Sequence, residues 1–180
     1  MGLYANDEML FFEDPVICRS PPGDFGILYL LRRDINRCME YQILWPGAMG
    51  IVAGADLLGK FLAGSDAQRQ VGDRFKNFVK KYFDLSAPDA EALYQLRNAL
   101  LHSFGLFSKN KKQAYCFRLT EGGTSLITVT PSGAYLVCLK NLHLRFENAV
   151  TEYRSDLQGS ADLKTNFSSM YPDYGCIPIA

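Results

Sequence analysis

The spacing of the apolar residues is the feature that most constrains how this chain can fold. Between residues 27 and 105, and again after residue 139, apolar residues recur at every third or fourth position. Examples are Leu28, Leu31, Ile35, Met39 and Ile43 in the first part and Leu139, Leu142, Phe146, Val150 and Tyr153 in the second. This step places side chains on one face of an α-helix, whereas the alternation between residues 114 and 138 is typical of β-strands. We therefore predict a mainly α fold, a helical bundle with a small antiparallel β-hairpin or three-stranded insert.

Turn and capping residues divide the helical parts into separate helices. The predicted helices cover residues 27–44, 48–62, about 67–82, about 87–105, 139–159 and about 162–170. Pro46 and Gly47 are expected to break the chain between the first two helices. Ser65 and Asp66 can cap the third helix, and Ser86 can cap the fourth, because their side-chain oxygens accept from the free N–H groups of a first turn.

The remaining segments complete a single predicted domain over residues 1–180. AYCFRLTE and SLITVT are predicted to pair as a hairpin around GGT, with a third strand at residues 134–138. SKNKKQ, just before them, is predicted to be a polar loop. The domain would thus have an N-terminal arm (1–26), helices with the motif described below (27–105), a β insert (114–138) and C-terminal helices (139–170).

The charge balance and the cysteines limit which partners and which cellular location can be expected. The 19 basic and 19 acidic residues balance, so any contact with a polyanion must come from a local patch. The five cysteines are widely spaced and form no Cys-x-x-Cys pair, which favours reduced thiols and a cytoplasmic location. The N-terminus carries acids where a targeting peptide would carry bases. Residues 43–64 are very apolar but are interrupted by Pro46, Asp56 and Lys60, so we expect a buried helix and no membrane partner.

The stretch LYQLRNALLHSFG, residues 93–105, places polar residues inside an apolar helical repeat. At about 100° per residue, an arc of Leu93, Leu96, Leu100 and Phe104 is predicted to face the core. Arg97 flanks this arc, while Asn98 and His102 lie together on another side. A guanidinium beside a core needs an acceptor, and Asp56, which interrupts an apolar helix, is the expected partner. His102, near the helix C-terminus, can exchange protons near neutral pH.

The six residues RNALLH, Arg97 to His102, resemble the Arg-Asn-x-x-x-His motif of the HEPN superfamily, a group of helical-bundle proteins that includes many metal-independent ribonucleases. The resemblance implies a homodimer in which two motif helices meet, with Tyr94 in the supporting surface between them. It also implies cleavage of RNA by attack of a 2′-hydroxyl on the adjacent phosphate, with no cofactor. Arg97, Asn98 and His102 would be the catalytic residues, and an antitoxin or another partner protein would accompany a toxin- or defence-like role.

Within that resemblance each residue type suits its part of the chemistry. His102 would act as general acid or base, Arg97 would neutralise charge on the phosphorane, and Asn98 would orient the imidazole or the phosphate. Lysines of the loop after the motif, Lys109, Lys111 and Lys112, would hold the phosphate backbone. The β insert is not part of a minimal HEPN bundle.

Two other interpretations stay open from the sequence. Arg97 and Asp56 could simply complete the core, with Asn98 at the surface and His102 capping the helix. The chain would then be a non-catalytic module that binds a protein or a nucleotide through the same helical surface. The lysine loop could likewise be an ordinary solvated turn, and His143, the second histidine, is expected to be a partly buried structural residue.

Overall fold

The computed structural model describes residues 3–13, 24–111 and 113–178, which are mainly helical. The helices are α1 Leu3–Phe12, α2 Ile27–Glu40, α3 Leu44–Ala63, α4 Val71–Tyr82, α5 Ala87–Ser103, α6 Leu139–Gly159 and α7 Ala161–Tyr174. The strands are β1 Asp24–Gly26, β2 Phe107–Lys109, β3 Ala114–Thr120, β4 Ile127–Val129, β5 Tyr135–Cys138 and β6 Cys176–Pro178. A mainly α fold with a β insert between α5 and α6 is therefore confirmed.

Helix α3 lies at the centre of the bundle and contacts α2, α4, α5, α6 and α7. Its buried side chains include Ile51, Leu58 and Phe61, as expected for a helix that is apolar on most sides. Among the described residues, no single helix is long and apolar enough to cross a membrane. The one pair that reaches this length and composition together, Leu44–Ala63 with Gln68–Tyr82, is bent by 112°.

Close packing of α3 on α6 depends on a glycine. A Cβ atom added to Gly54 would lie only 2.5 Å from Cζ of Phe146, a ring that is fully buried. Nothing larger than a hydrogen atom fits this position while the ring keeps its place.

Replacing Gly54 with alanine should therefore destabilise the fold. Overpacking costs about 1–3 kcal/mol, which exceeds the gain of about 1 kcal/mol in helix propensity. We expect a lower urea midpoint with an unchanged slope. Gly159→Ala, at the open end of α6 where no heavy atom lies within 4 Å, is the matched control and should not lower the midpoint. Equal midpoints for the two variants would contradict this account of the α3–α6 contact.

The predicted break at Pro46 is misplaced. Pro46 lies inside the first turn of α3. The next residue, Gly47, already donates its N–H to the carbonyl of Ile43. A proline is tolerated there because the first N–H groups of a helix have no partner within it. The chain turns earlier, at Gln42, whose φ is 56°.

The predicted cap of α4 is also wrong. A 3-10 turn over Gln68–Gln70 precedes this helix, which begins at Val71. Ser65 accepts instead from the N–H of Ala67 at 3.2 Å. Asp66 binds Arg74 and Lys60, each at 3.0 Å, because two nearby cations are stronger partners for a carboxylate than one free N–H group.

The β insert contains two hairpins instead of one hairpin and an added strand. Its strand order is β2-β3-β5-β4. β2 is antiparallel to β3 and β4 is antiparallel to β5, while β3 and β5 pair in parallel, with Phe117 opposite Tyr135. The predicted pairing of β3 with β4 is wrong, and part of the predicted SKNKKQ loop forms β2.

The N-terminal segment, predicted to be an extended arm or a short strand, begins with a helix. In α1, Phe11 is fully buried and its ring lies against Phe61 and Phe167, with centroids 4.6 and 5.4 Å apart. β1 follows and pairs with β6. Residues 1–2 and 14–23 of the predicted arm lie outside the described part of the chain. Tertiary packing of two aromatic rings, and not a helical repeat, fixes this segment.

Candidate active site

Helix α5 carries the RNALLH motif and is held at both ends. At its start, the Ser86 hydroxyl accepts from Asp89 N–H at 3.3 Å, which confirms the predicted cap. At its end, Phe104 adopts a left-handed conformation with φ 45°, and Gly105 N–H donates to the carbonyl of Ala99 at 3.0 Å. This turn satisfies a carbonyl of the last turn. It leaves His102 at the end of the helix, where we expected it.

The turn also corrects the predicted core face. Leu93, Leu96 and Leu100 are buried, but Phe104 is 73% exposed. The helix ends at Ser103, so the left-handed backbone at Phe104 directs the ring away from the arc that its helical position would give it. The core stripe of α5 therefore ends at Leu100.

Arg97 joins the motif residues to α3. One terminal nitrogen, Nη1, lies 2.6 Å from His102 Nε2 and 3.2 Å from Asn98 Oδ1. The other, Nη2, donates to Asp56 Oδ2 at 2.6 Å. The expected Asp56–Arg97 pair is thus confirmed, and it fixes the guanidinium beside the imidazole. The long arginine side chain brings together residues that a helical wheel places on different sides.

The contact between Arg97 and His102 indicates which ring nitrogen of His102 accepts a hydrogen bond. A guanidinium only donates hydrogen bonds, so Nε2 of His102 must be the accepting, unprotonated nitrogen. In a neutral imidazole the proton then resides on Nδ1. His102 is exposed, whereas the side chains of Arg97 and Asp56 are 10% and 13% exposed. The imidazole therefore faces solvent with a fixed positive charge directly behind it.

The Asp56–Arg97 pair leaves hydrogen-bonding capacity unused. Within the described residues, Asp56 Oδ1 and Arg97 Nε are buried without a partner. A fork of two parallel bonds is the stronger arrangement for an arginine and a carboxylate, and buried polar atoms without partners are rare. Because Asp56 is bound through Nη2 alone, Nη1 is left to contact His102.

Tyr94 does not join this cluster. Its ring lies on the α4 side of α5, with its centroid 5.9 Å from that of Phe75 and 5.6 Å from Lys76 Nζ. A Cβ atom on Gly72 would touch it at 3.0 Å. Tyr94 thus supports the packing of α4 on α5, and its expected place between two motif helices stays a prediction.

Lys109 and Lys111 lie along the same helix but farther from His102. Lys109 is in β2 and Lys111 in the turn after it, both exposed, while Lys112 lies outside the described part of the chain. β2 runs back along α5, because Ser108 donates to Gln95 at 2.6 Å and Asn110 donates to Glu91 at 3.4 Å. Glu91 precedes His102 by eleven residues, about 16 Å at 1.5 Å per residue. Lys109 and Lys111 are therefore not brought next to the imidazole.

Glu91 anchors β2 to the helices and was not singled out from the sequence. Burial opposes its ionisation, but hydrogen bonds from Gln95 and Lys76 outweigh burial, and the pKa of Glu91 is lowered. Glu91 accepts from Gln95 at 2.9 Å and from Lys76 at 3.2 Å. The four-residue spacing of Glu91 and Gln95 on one helix was the only available signal.

The other candidate groups of the sequence lie elsewhere. His143 is partly buried on α6, bonds Asn36 at 2.8 Å, and has its pKa lowered by burial, as a structural histidine would. Cys38, Cys116 and Cys138 are free thiols, and Cys18 lies outside the described residues. In the described ranges, no three His, Cys, Asp or Glu side chains are grouped closely enough to hold a metal ion.

Comparison of the chain with protein family models, curated proteins and solved structures found no match. Functional inference therefore depends on the RNALLH motif and on the geometry around Arg97.

Proposed function

We propose that this protein is a HEPN-type endoribonuclease that cleaves RNA without a metal ion. The observation that carries the proposal is the 2.6 Å contact between Arg97 Nη1 and the exposed imidazole of His102. It supplies a proton-transfer group and a fixed cation at one place on the surface, which are the two requirements for cleavage at a phosphodiester. The Asp56 bond keeps the cation in position.

The proposed reaction conserves the atoms of the RNA. A base removes the proton of a 2′-hydroxyl, and its oxygen attacks the adjacent phosphorus. The bond to the 5′-oxygen breaks, and an acid protonates that oxygen. The products are a 2′,3′-cyclic phosphate and a 5′-hydroxyl. Arg97 would stabilise the extra charge on the phosphorane oxygens, since a positioned cation in a partly dry site acts strongly there.

An arriving phosphate would also release the base. In the free protein, Nη1 of Arg97 donates to Nε2 of His102 and to Oδ1 of Asn98. A phosphate oxygen is a stronger, charged acceptor for the same N–H groups. Once Nη1 donates to it, the Nε2 lone pair becomes available to take the 2′-hydroxyl proton. Asn98 then has a positioning role, because it holds Nη1 and not the imidazole.

A homodimer would provide the second proton-transfer group. The chain contains only two histidines, and His143 is bonded to Asn36 on α2. Each chain therefore offers one imidazole to the reaction. If two α5 helices meet near their C-terminal ends, one His102 can serve as base and its counterpart as acid. In a toxin- or defence-like setting, an antitoxin or another partner protein would restrain the activity by covering this surface.

Cleavage of mixed cellular RNA in the presence of a chelator tests the proposal. We expect fragments that end in 2′,3′-cyclic phosphates and 5′-hydroxyls, and no cleavage of an oligonucleotide whose 2′-hydroxyls are methylated. Broad degradation would fit the toxin-like role. An intact RNA pool over a range of pH and salt, or products with 5′-phosphates, would refute the proposal.

One observation favours a second candidate, a non-catalytic module that binds a protein or nucleotide. Nε2 of His102 is already engaged by Arg97, whose side chain is mostly buried, so the motif could be a closed structural network. In that case a nucleotide or a partner protein would bind this helical surface and raise the melting temperature, while RNA remained uncut.

A further inference from the structure

The outer face of the β2–β3 hairpin carries an aromatic residue beside basic residues. Exposure alternates along β2, where Phe107 and Lys109 are exposed while Ser108 turns inward to Gln95. It also alternates along β3, where Tyr115 and Phe117 are buried and the residues between and beside them are exposed. Residues that alternate in this way, together with their cross-strand partners, share one face of a sheet.

The strand register places a cation on each side of Phe107. Phe107 is opposite Cys116, and Lys109 is opposite Ala114. Lys109 is two residues farther along β2, and Arg118 is two residues beyond Cys116 in the opposite direction. Each step of two residues measures about 7 Å. Strands β2 to β5 contain no aspartate or glutamate, so this face is locally positive in a chain of balanced charge.

Phe104 extends this surface towards His102. Its side chain is 73% exposed, and that of Phe107 is 57% exposed. Phe104 has φ 45°, a left-handed conformation that is costly for a bulky residue and is usually left to glycine. The connection to β2 is fixed, because Phe117 N–H donates to the carbonyl of Leu106 at 2.8 Å. Among the described residues, this strained and mostly exposed aromatic ring, two positions after His102, has no packing role that would explain it.

We propose that Phe104, Phe107, Lys109 and Arg118 form a binding surface for single-stranded RNA, called here the aromatic–basic face. This inference rests on the proposed function and names its substrate class. Bases would stack on the two phenylalanine rings, and phosphates would contact Lys109 and Arg118. Only unpaired bases can lie on an aromatic ring, so the β insert would select single strands over duplexes and lead them to His102.

Binding of a non-cleavable RNA tests the aromatic–basic face separately from catalysis. The probe is a fluorescein-labelled oligonucleotide with 2′-O-methyl groups, offered to the full chain as a single strand and as a hairpin duplex. We expect the single strand to bind more tightly. Phe107→Ala should weaken its binding roughly 10-fold, the scale of one lost base stack, and Phe107→Trp should restore it. Leu144→Ala, at a residue 58% exposed on α6, is the matched control and should bind as the parent does.

Phe104→Gly separates binding from folding. Glycine adopts a positive φ without strain, so this variant should melt at a higher temperature and yet bind the probe more weakly. A merely structural Phe104 would leave binding unchanged. Lys109→Ala and Arg118→Ala should each reduce the slope of log affinity against log salt by about 0.7, the value for one phosphate contact on a single strand.

The outcomes distinguish this surface from the nuclease proposal. A parent protein that cleaves RNA, with unchanged probe binding in Phe107→Ala and Phe104→Gly, would overturn the aromatic–basic face alone. Equal affinity of the parent protein for the single strand and the hairpin duplex would also overturn the aromatic–basic face. So would Phe107→Ala or Phe104→Gly variants that bind RNA normally but change their oligomeric state. Probe binding that depends on these residues, without any cleavage of ordinary RNA, would support the surface and refute the nuclease.

Discussion

Replacing His102 with alanine should abolish RNA cleavage and leave the fold as stable as that of the parent. A positioned acid or base typically accelerates a reaction about 10²–10⁴-fold, and a dimer would lose both groups at once. The side chain is exposed and its one described hydrogen bond is to Arg97, so its removal exposes no core. Initial rates on a labelled RNA, with urea unfolding of the same preparations, measure both effects.

His143→Ala is the matched control, because it removes the other histidine without touching α5. Its bond to Asn36 lies between α6 and α2, so a small loss of stability with normal cleavage is expected. A His102→Ala protein that cleaves at the parental rate would eliminate His102 as the proton-transfer group. Retained binding of the methylated RNA by this variant would show that catalysis, and not substrate binding, was lost.

Removing the carboxylate of Asp56 should cost the protein both stability and activity. The variant Asp56→Ala leaves the Arg97 guanidinium buried without its partner, a change that costs about 3–5 kcal/mol in comparable pairs. Cleavage should fall as well, because Nη1 is no longer held beside His102. Urea unfolding gives the first quantity and initial rates at a temperature well below unfolding give the second.

A double substitution separates the two roles of the pair. Asp56→Leu with Arg97→Met replaces both charges by apolar side chains of similar size, which is often neutral for stability. We expect most of the stability lost in Asp56→Ala to return, while cleavage is abolished because the Arg97 guanidinium is gone. Asp34→Ala, which removes an exposed ion pair with Arg33, should change stability by well under 1 kcal/mol. Cleavage by the stable double variant would show that the pair serves only the core.

The helical frame was predictable because it depends on one-dimensional periodicity. α2, α5 and α6 bury one apolar face each, so their residues recur with the helical step. The Asp56–Arg97 pair was predictable for a related reason. Asp56 interrupts an apolar helix and Arg97 flanks an apolar arc, and each needs a partner of opposite sign once buried. The geometry at His102 was harder to predict from the sequence, because it depends on the length of the Arg97 side chain and not on the direction of its Cα–Cβ bond.

The wrong predictions concern segments whose structure depends on contacts between residues far apart in the sequence or on a single backbone conformation. Alternation in β3 identifies a strand but not its neighbour, so the parallel partner β5 was missed. α1 depends on the burial of Phe11 against Phe61 and Phe167, residues distant in sequence. Phe104 continued the apolar spacing of α5, yet the helix ends one residue earlier. An apolar pattern does not show at which residue a left-handed backbone conformation will end the helix.

The strand order has a consequence for how the insert assembles. β2 with β3 and β4 with β5 are each joined by short connections, so each pair closes a small loop at low entropic cost. The strands of the two units pair with each other through β3 and β5, and parallel pairing is slightly less stable per residue. The insert is thus two locally formed ribbons joined along one seam, and we expect that seam to form after the ribbons do, because it joins residues farther apart in sequence.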